Sequence, residues 1–64
     1  MKSNKPQCKL IGEDGNIFNL VGIASRTLRN NGKEAEAEEM RSKVYASGSY
    51  DEALSVIGNY VEIV

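Results

Sequence analysis

The chain changes hydrophobic period at one place, and that change limits what it can fold into. Before Gly12-Glu13-Asp14-Gly15-Asn16 stand Cys8, Leu10 and Ile11, a short apolar run broken by Lys9; after it Ile17, Leu20, Val21, Ala24 and Leu28 recur at spacings of three and four. The first pattern is that of a strand and the second that of a helix. Asp-Gly often closes a two-residue hairpin, but here a helical repeat follows, so the turn joins a strand over Cys8–Gly12 to a helix.

Asn16 suits the N-cap of that helix, because its side-chain oxygen accepts from a first-turn N–H. The helix is expected to end at Asn30 or Asn31, with Gly32 in the left-handed conformation behind it. Arg26 and Arg29 then lie near the negative end of its dipole. Gly22, inside the helix, costs about 1 kcal/mol relative to Ala, which predicts close approach of another backbone there. Phe18 falls off the apolar stripe and is expected to widen the core, with covering the sheet as the alternative.

From Lys33 to Ala46 a second helix is expected, with Ala37, Met40 and Val44 on its inner stripe. Glu34, Glu38, Glu39, Arg41 and Lys43 point outward, and Glu39 pairs with Lys43 one turn on. Ser47-Gly48-Ser49 ends it, and Ser49 with Glu52 forms the capping-box pattern of a third helix from Tyr50 to about Gly58, on which Ala53, Leu54 and Ile57 face the core. Tyr60 to Val64 is β-branched and apolar, a terminal strand that pairs with the first. The fold class is α+β in the order β-α-α-α-β, three short helices packed on a two-stranded sheet. Residues 1–7 are expected to be a mobile arm and 8–64 a single domain. Helices packed strictly up and down make the strand pair parallel, whereas crossed helices allow antiparallel pairing.

Length and composition narrow the function classes. A 64-residue chain buries only about 60% of its unfolded surface, so its core is small and a partner or self-association becomes attractive. One cysteine rules out an intramolecular disulfide and a metal site of several thiolates, and Cys8 is expected to be a small buried apolar residue. With no histidine, no Cys-His or Ser-His couple can be built, and the commonest general base is missing. Glu34, Glu36, Glu38 and Glu39 crowd one helix as a solvated face. The Gly12–Asn16 loop fits neither a dinucleotide nor a P-loop glycine pattern, and an EF-hand count from Gly15 puts Leu10 where a carboxylate belongs. No enzyme, no cofactor and no metal site is expected. The basic start, Lys2 and Lys5, has no apolar run behind it, and no stretch of some 18 apolar residues occurs, so a reducing cytoplasm is the expected location and no membrane partner is implied.

Two sets of residues are candidates for function. Arg26, Arg29 and Lys33 cluster near a helix end; they either pair with the acidic second helix or contact a phosphate backbone or acidic partner, with Lys2, Lys5 and Lys9 as reinforcement. A net charge of −1 and the glutamates of the second helix argue against groove binding by a helix-turn-helix. Tyr60, Glu62, Ile63 and Val64, on an exposed strand edge, are candidates for self-association into a homodimer. Tyr45 and Tyr60 are interface candidates, since a tyrosine ring can bury while its hydroxyl stays wet. The leading expectation is a protein-interaction or self-associating module, with a nucleic-acid-associated protein as the alternative.

Leu10, Gly12, Asp14-Gly15-Asn16, Phe18, Gly22, Arg26, Leu28-Arg29 and Gly32, followed by Ser47-Gly48-Ser49-Tyr50-Asp51 and Tyr60-Val61, together resemble a group of small uncharacterised proteins of bacteria, their phages and mobile elements. The resemblance covers nearly everything after the N-terminal arm. Ser49 stands where that pattern has an acidic residue. A bacterial or phage accessory protein of the cytoplasm is implied, and no site residue is carried over.

Overall fold

The computed structural model describes residues 5–64, in the order β1 (Gln7–Cys8), α1 (Ile17–Asn30), α2 (Glu34–Ala46), α3 (Tyr50–Tyr60) and β2 (Glu62–Ile63). The strands pair in parallel, with Gln7 opposite Glu62 and Cys8 opposite Ile63. Parallel neighbours need a long crossover, and here all three helices form it. Along the strands Cys8, Leu10 and Val61 are buried and Ile63 is half-buried, while Gln7, Lys9, Glu62 and Val64 are exposed. That alternation gives the sheet one inner face, which α1 and α3 cover, and one wet face.

Each helix sends one large side chain to the centre: Leu28, Met40 and Ile57 are all fully buried. Ala24, Ala37 and Ala53 are buried beside them, and residues this small let the helix axes come close. The sequence stripes are thus the observed ones, with Ile17 and Leu54 at the half-buried margin. Asn16 caps α1 by accepting from the Phe18 N–H at 2.8 Å. Gly32 has φ +73°, and the Lys33 N–H turns back to the Leu28 carbonyl at 2.8 Å. The Ser49 hydroxyl accepts from the Glu52 N–H at 3.1 Å, and the Glu52 carboxylate accepts from the Gly48 N–H at 2.7 Å, one residue earlier than the usual box.

Several expectations are corrected. The first strand is Gln7–Cys8 and not Cys8–Gly12: the Leu10 and Ile11 N–H groups converge on a single acceptor, the Val64 carbonyl, and the ladder ends there. A turn follows in which the Glu13 N–H reaches the Leu10 carbonyl at 3.1 Å, with Gly12 at φ +93°. This positive φ at the third turn position requires glycine, so Gly12, not the Asp-Gly pair, makes the reversal. Residues 1–4 of the expected arm lie outside the described residues, and its remainder is not an arm. The Pro6 carbonyl accepts from the Glu62 N–H at 2.8 Å, Gln7 is in the sheet, and Lys5 donates to the Gly58 carbonyl at 3.0 Å. Gly58 and Asn59 do not stop α3, which continues through Tyr60 and shortens the terminal strand to Glu62–Ile63.

Phe18 is 67% exposed and outside the core. Gly22 is exposed as well, and a methyl group built on it meets nothing within 4 Å. No backbone approaches it, so its helix cost is uncompensated in the fold. Gly22→Ala should therefore raise stability by about 1 kcal/mol, seen as a Tm increase of roughly 4–8 °C for a domain of this size. An unchanged or lower Tm on thermal unfolding by circular dichroism contradicts this.

Candidate functional site

The loop that follows β1 is held at three points. The Asp14 carboxylate accepts from the Asn16 N–H at 3.1 Å, the Asn19 side-chain amide donates to the Asp14 carbonyl at 3.0 Å, and the Tyr50 hydroxyl donates to the Gly15 carbonyl at 2.5 Å. The last bond spans 35 residues of sequence and ties the start of α3 to the start of α1. A methyl group added at Gly15 would stand 3.4 Å from the Tyr50 hydroxyl, at van der Waals contact.

Beside Tyr50 opens a groove of about 360 Å³. Ile17 and Phe18 from the first turn of α1 form one wall, Val44 and Tyr45 from the last turn of α2 another, and Ser47, Gly48 and Ser49 the third, with Ala53 at the bottom. The Phe18 and Tyr45 rings meet at 5.9 Å between centroids, tilted by 39°, within the range of a favourable aromatic pair. Both are more than half exposed, and Tyr50 is 46% exposed. On the far side of Tyr50 lies a smaller apolar hollow of about 220 Å³, lined in part by Leu10, Ile11, Leu54 and Ile63. Ile11 at its lip is 69% exposed. The four most exposed large apolar side chains thus share one end of the molecule, centred on Tyr50.

The basic candidates are placed differently. Arg26 and Arg29 are exposed on α1 and Lys33 is half-buried beyond its end; none of the three makes an ion pair with a described residue, so the expected pairing with α2 does not form. Lys33 lines a shallow hollow with Lys5, Glu36, Asn59 and Tyr60, which puts a carboxylate among the cations. Lys9 is on the outer face of the sheet. On α2 the expected Glu39–Lys43 pair is present at 3.3 Å. The Lys43 ammonium also lies 5.8 Å from the Tyr60 ring centre, and the Tyr60 hydroxyl, together with Glu39, raises its pKa above the ordinary 10.5.

The self-association candidates are divided. Tyr60 is the last residue of α3, half-buried under Lys43 and apart from the strand. Glu62 in β2 and Val64 just beyond it direct their backbone groups toward the first strand segment, so of the two β2 residues Ile63 turns its N–H and C=O to the other edge. The open edge is one residue wide, and edges that short resist strand addition. Cys8 is buried with the Thr27 hydroxyl at 3.5 Å from its sulfur. Among the described residues no three Cys, Asp or Glu side chains gather as a metal site, and no helix is long and apolar enough to cross a membrane.

Comparison with models of known protein families finds no match, and neither the curated proteins nor the solved structures contain a significant relative. The sequence reading selected Tyr45 but missed Phe18, Tyr50 and Ile11 as site residues. The signal for Phe18 was its position one residue off the apolar stripe. For Tyr50 and Ile11 no local signal exists, since only the tertiary bond to Gly15 and the Gly12 turn put them together. Tyr50→Phe removes that bond while keeping the ring. It should cost about 0.5–1.5 kcal/mol and speed amide exchange in residues 10–16 before the rest of the chain; uniform exchange rates in the variant contradict the tethering role.

Proposed function

We propose that this chain is a non-enzymatic protein-interaction module whose docking surface is the aromatic groove at the joined starts of α1 and α3. The observation that carries the reading is the exposure of Phe18, Tyr45 and Tyr50 around one concavity. The largest contiguous apolar patch on a small protein is often functional, and three exposed rings around one concavity form such a patch, whereas scattered single residues need no explanation. Its walls come from three helix ends that the core fixes, so little ordering is needed on binding. The repertoire for chemistry is thin: no histidine, one buried cysteine, and, among the described residues, no group of three Cys, Asp or Glu side chains placed to hold a metal ion.

A strand-edge homodimer through Glu62, Ile63 and Val64 is less favoured, because the free edge is one residue wide and the outer sheet face carries Lys9 and Glu62. A nucleic-acid role retains one specific support, the exposed Arg26 and Arg29 side chains that no described carboxylate neutralises. An accessory role in a bacterium or phage, as the sequence resemblance implies, is compatible with a small binding module.

The two readings separate in one experiment. Tagged protein is used to capture partners from a bacterial lysate with and without nuclease, alongside Phe18→Ala/Tyr45→Ala and Arg26→Ala/Arg29→Ala. The interaction-module reading predicts nuclease-resistant capture, lost at least tenfold in the aromatic variant and unchanged in the arginine variant. Capture that vanishes with nuclease and with the arginine variant contradicts it in favour of nucleic acid.

A further inference from the structure

We infer that the outer face of the α1–α2 hairpin docks a second copy of this chain, with α1 of each protomer seated on α2 of the other. The inference goes beyond the groove reading and shares with it only the Phe18 and Tyr45 rings. On α1 the exposed residues Phe18, Gly22, Arg26 and Arg29 follow one another at spacings of four, four and three, and on α2 the exposed Glu34, Glu38, Ser42 and Tyr45 do the same. Residues so spaced share a helix face. Only residues 31–33 join the two helices, so they run antiparallel. The Phe18–Tyr45 ring contact at 5.9 Å shows that the two stripes lie side by side and fixes their level. One turn at a time, Gly22 is then level with Ser42, Arg26 with Glu38 and Arg29 with Glu34.

The face divides by charge across its seam. α1 has Arg26 and Arg29 and no carboxylate, whereas the α2 stripe has Glu34 and Glu38 and no cation. The cations of α2 lie off the stripe: Lys43 pairs with Glu39, and Arg41 is half-buried, nearer the ring end than both glutamates. Neither the two arginines nor Glu34 and Glu38 form an ion pair with a described residue. A basic helix beside an acidic one makes a self-complementary surface, which is what a two-fold contact between identical chains requires. An axis running along the helices, between them, turns the face over and keeps every level. It sets Arg26 opposite the partner's Glu38 and Arg29 opposite the partner's Glu34. A phosphate backbone approaching the same arginines would instead meet Glu34 and Glu38 at their level, so charge favours a second copy over nucleic acid.

Gly22 supplies an independent argument. It costs α1 stability, and nothing in the fold approaches it. In the dimer the partner's Ser42 stands opposite, and two residues this small let the helices come close. Exposed ion pairs contribute little singly, so association depends on the four pairs of the two-fold contact acting together and is sensitive to salt.

The test is sedimentation equilibrium of the full chain over a concentration series. The expected result is a monomer–dimer equilibrium that weakens as salt is raised. Arg26→Glu/Arg29→Glu and Glu34→Lys/Glu38→Lys, which break no ion pair among the described residues, should each lose at least about tenfold in dimer affinity. An equimolar mixture of the two variants should regain the dimer, because each reversed helix then faces the opposite charge on the other chain. Should a reversed variant unfold, Arg26→Gln/Arg29→Gln, with neutral helix-forming side chains at exposed positions, gives the same loss; unchanged affinity in it overturns the inference. A monomer at every concentration also overturns it, as does a mixture that stays monomeric, which identifies Arg–Glu pairing within one chain. A dimer that withstands both reversals overturns it in favour of contact at another surface. A monomer that binds a duplex oligonucleotide, and loses it in Arg26→Gln/Arg29→Gln, assigns the arginines to phosphate. Capture from dilute lysate reads the groove separately. A monomer whose capture still depends on Phe18 and Tyr45 overturns only this inference, and a dimer whose capture is indifferent to Phe18→Ala/Tyr45→Ala overturns only the groove reading.

Discussion

The parallel pairing of residues 6–8 with 62–64 is the constraint on which the rest depends. A strand followed by its parallel neighbour must have the chain carried back to the starting end, and in a chain this short three helices packed side by side do so. The arrangement sets the starts of α1 and α3 and the end of α2 at the same end of the molecule, which the Tyr50–Gly15 bond demonstrates directly. The groove is therefore a consequence of topology: Phe18, Tyr45 and Tyr50 occupy the first or last turn of the three helices that meet there.

The distribution of aromatic residues gives that end its meaning. Aromatic side chains supply the largest single contributions to a small core, and a domain of this size has few contributions to spare. Yet no aromatic residue is among the fully buried side chains, the largest of which are Leu28, Met40 and Ile57, and Phe18, the only phenylalanine, is mostly in water. The core closes without it because buried alanines on all three helices shorten the distances to be filled. What the fold leaves outside is then available for recognition.

Much of the architecture was legible from residues with local causes. Asn16, Gly32 and the Ser49–Glu52 box mark helix ends through bonds made within a few residues, and the stripes through Leu28, Met40 and Ile57 follow from helical period alone. What was not legible depends on distant partners. Gly58-Asn59 looked like a stop, but the pairing of Glu62 with Pro6 fixes where β2 begins, so the helix can continue to Tyr60. The sense of the sheet needed the helix packing, and Pro6 and Gln7 looked like an arm because acceptors for a terminal strand leave no mark in composition. The candidate site was the least legible part. Phe18 carried a faint signal in being off-stripe, whereas Arg26, Arg29 and Lys33 attracted notice by charge and are at the other end of α1.

The central claim is that the exposed aromatic pair serves recognition and not stability. Equilibrium urea unfolding of Phe18→Ala/Tyr45→Ala against the parent chain tests it most directly. The account predicts a loss of no more than about 1.5 kcal/mol, the upper worth of an aromatic pair, with the cooperative slope unchanged. A loss of about 3–5 kcal/mol, as for a phenylalanine removed from a core, would show that the rings hold the fold together, and the groove would lose its claim to be a site.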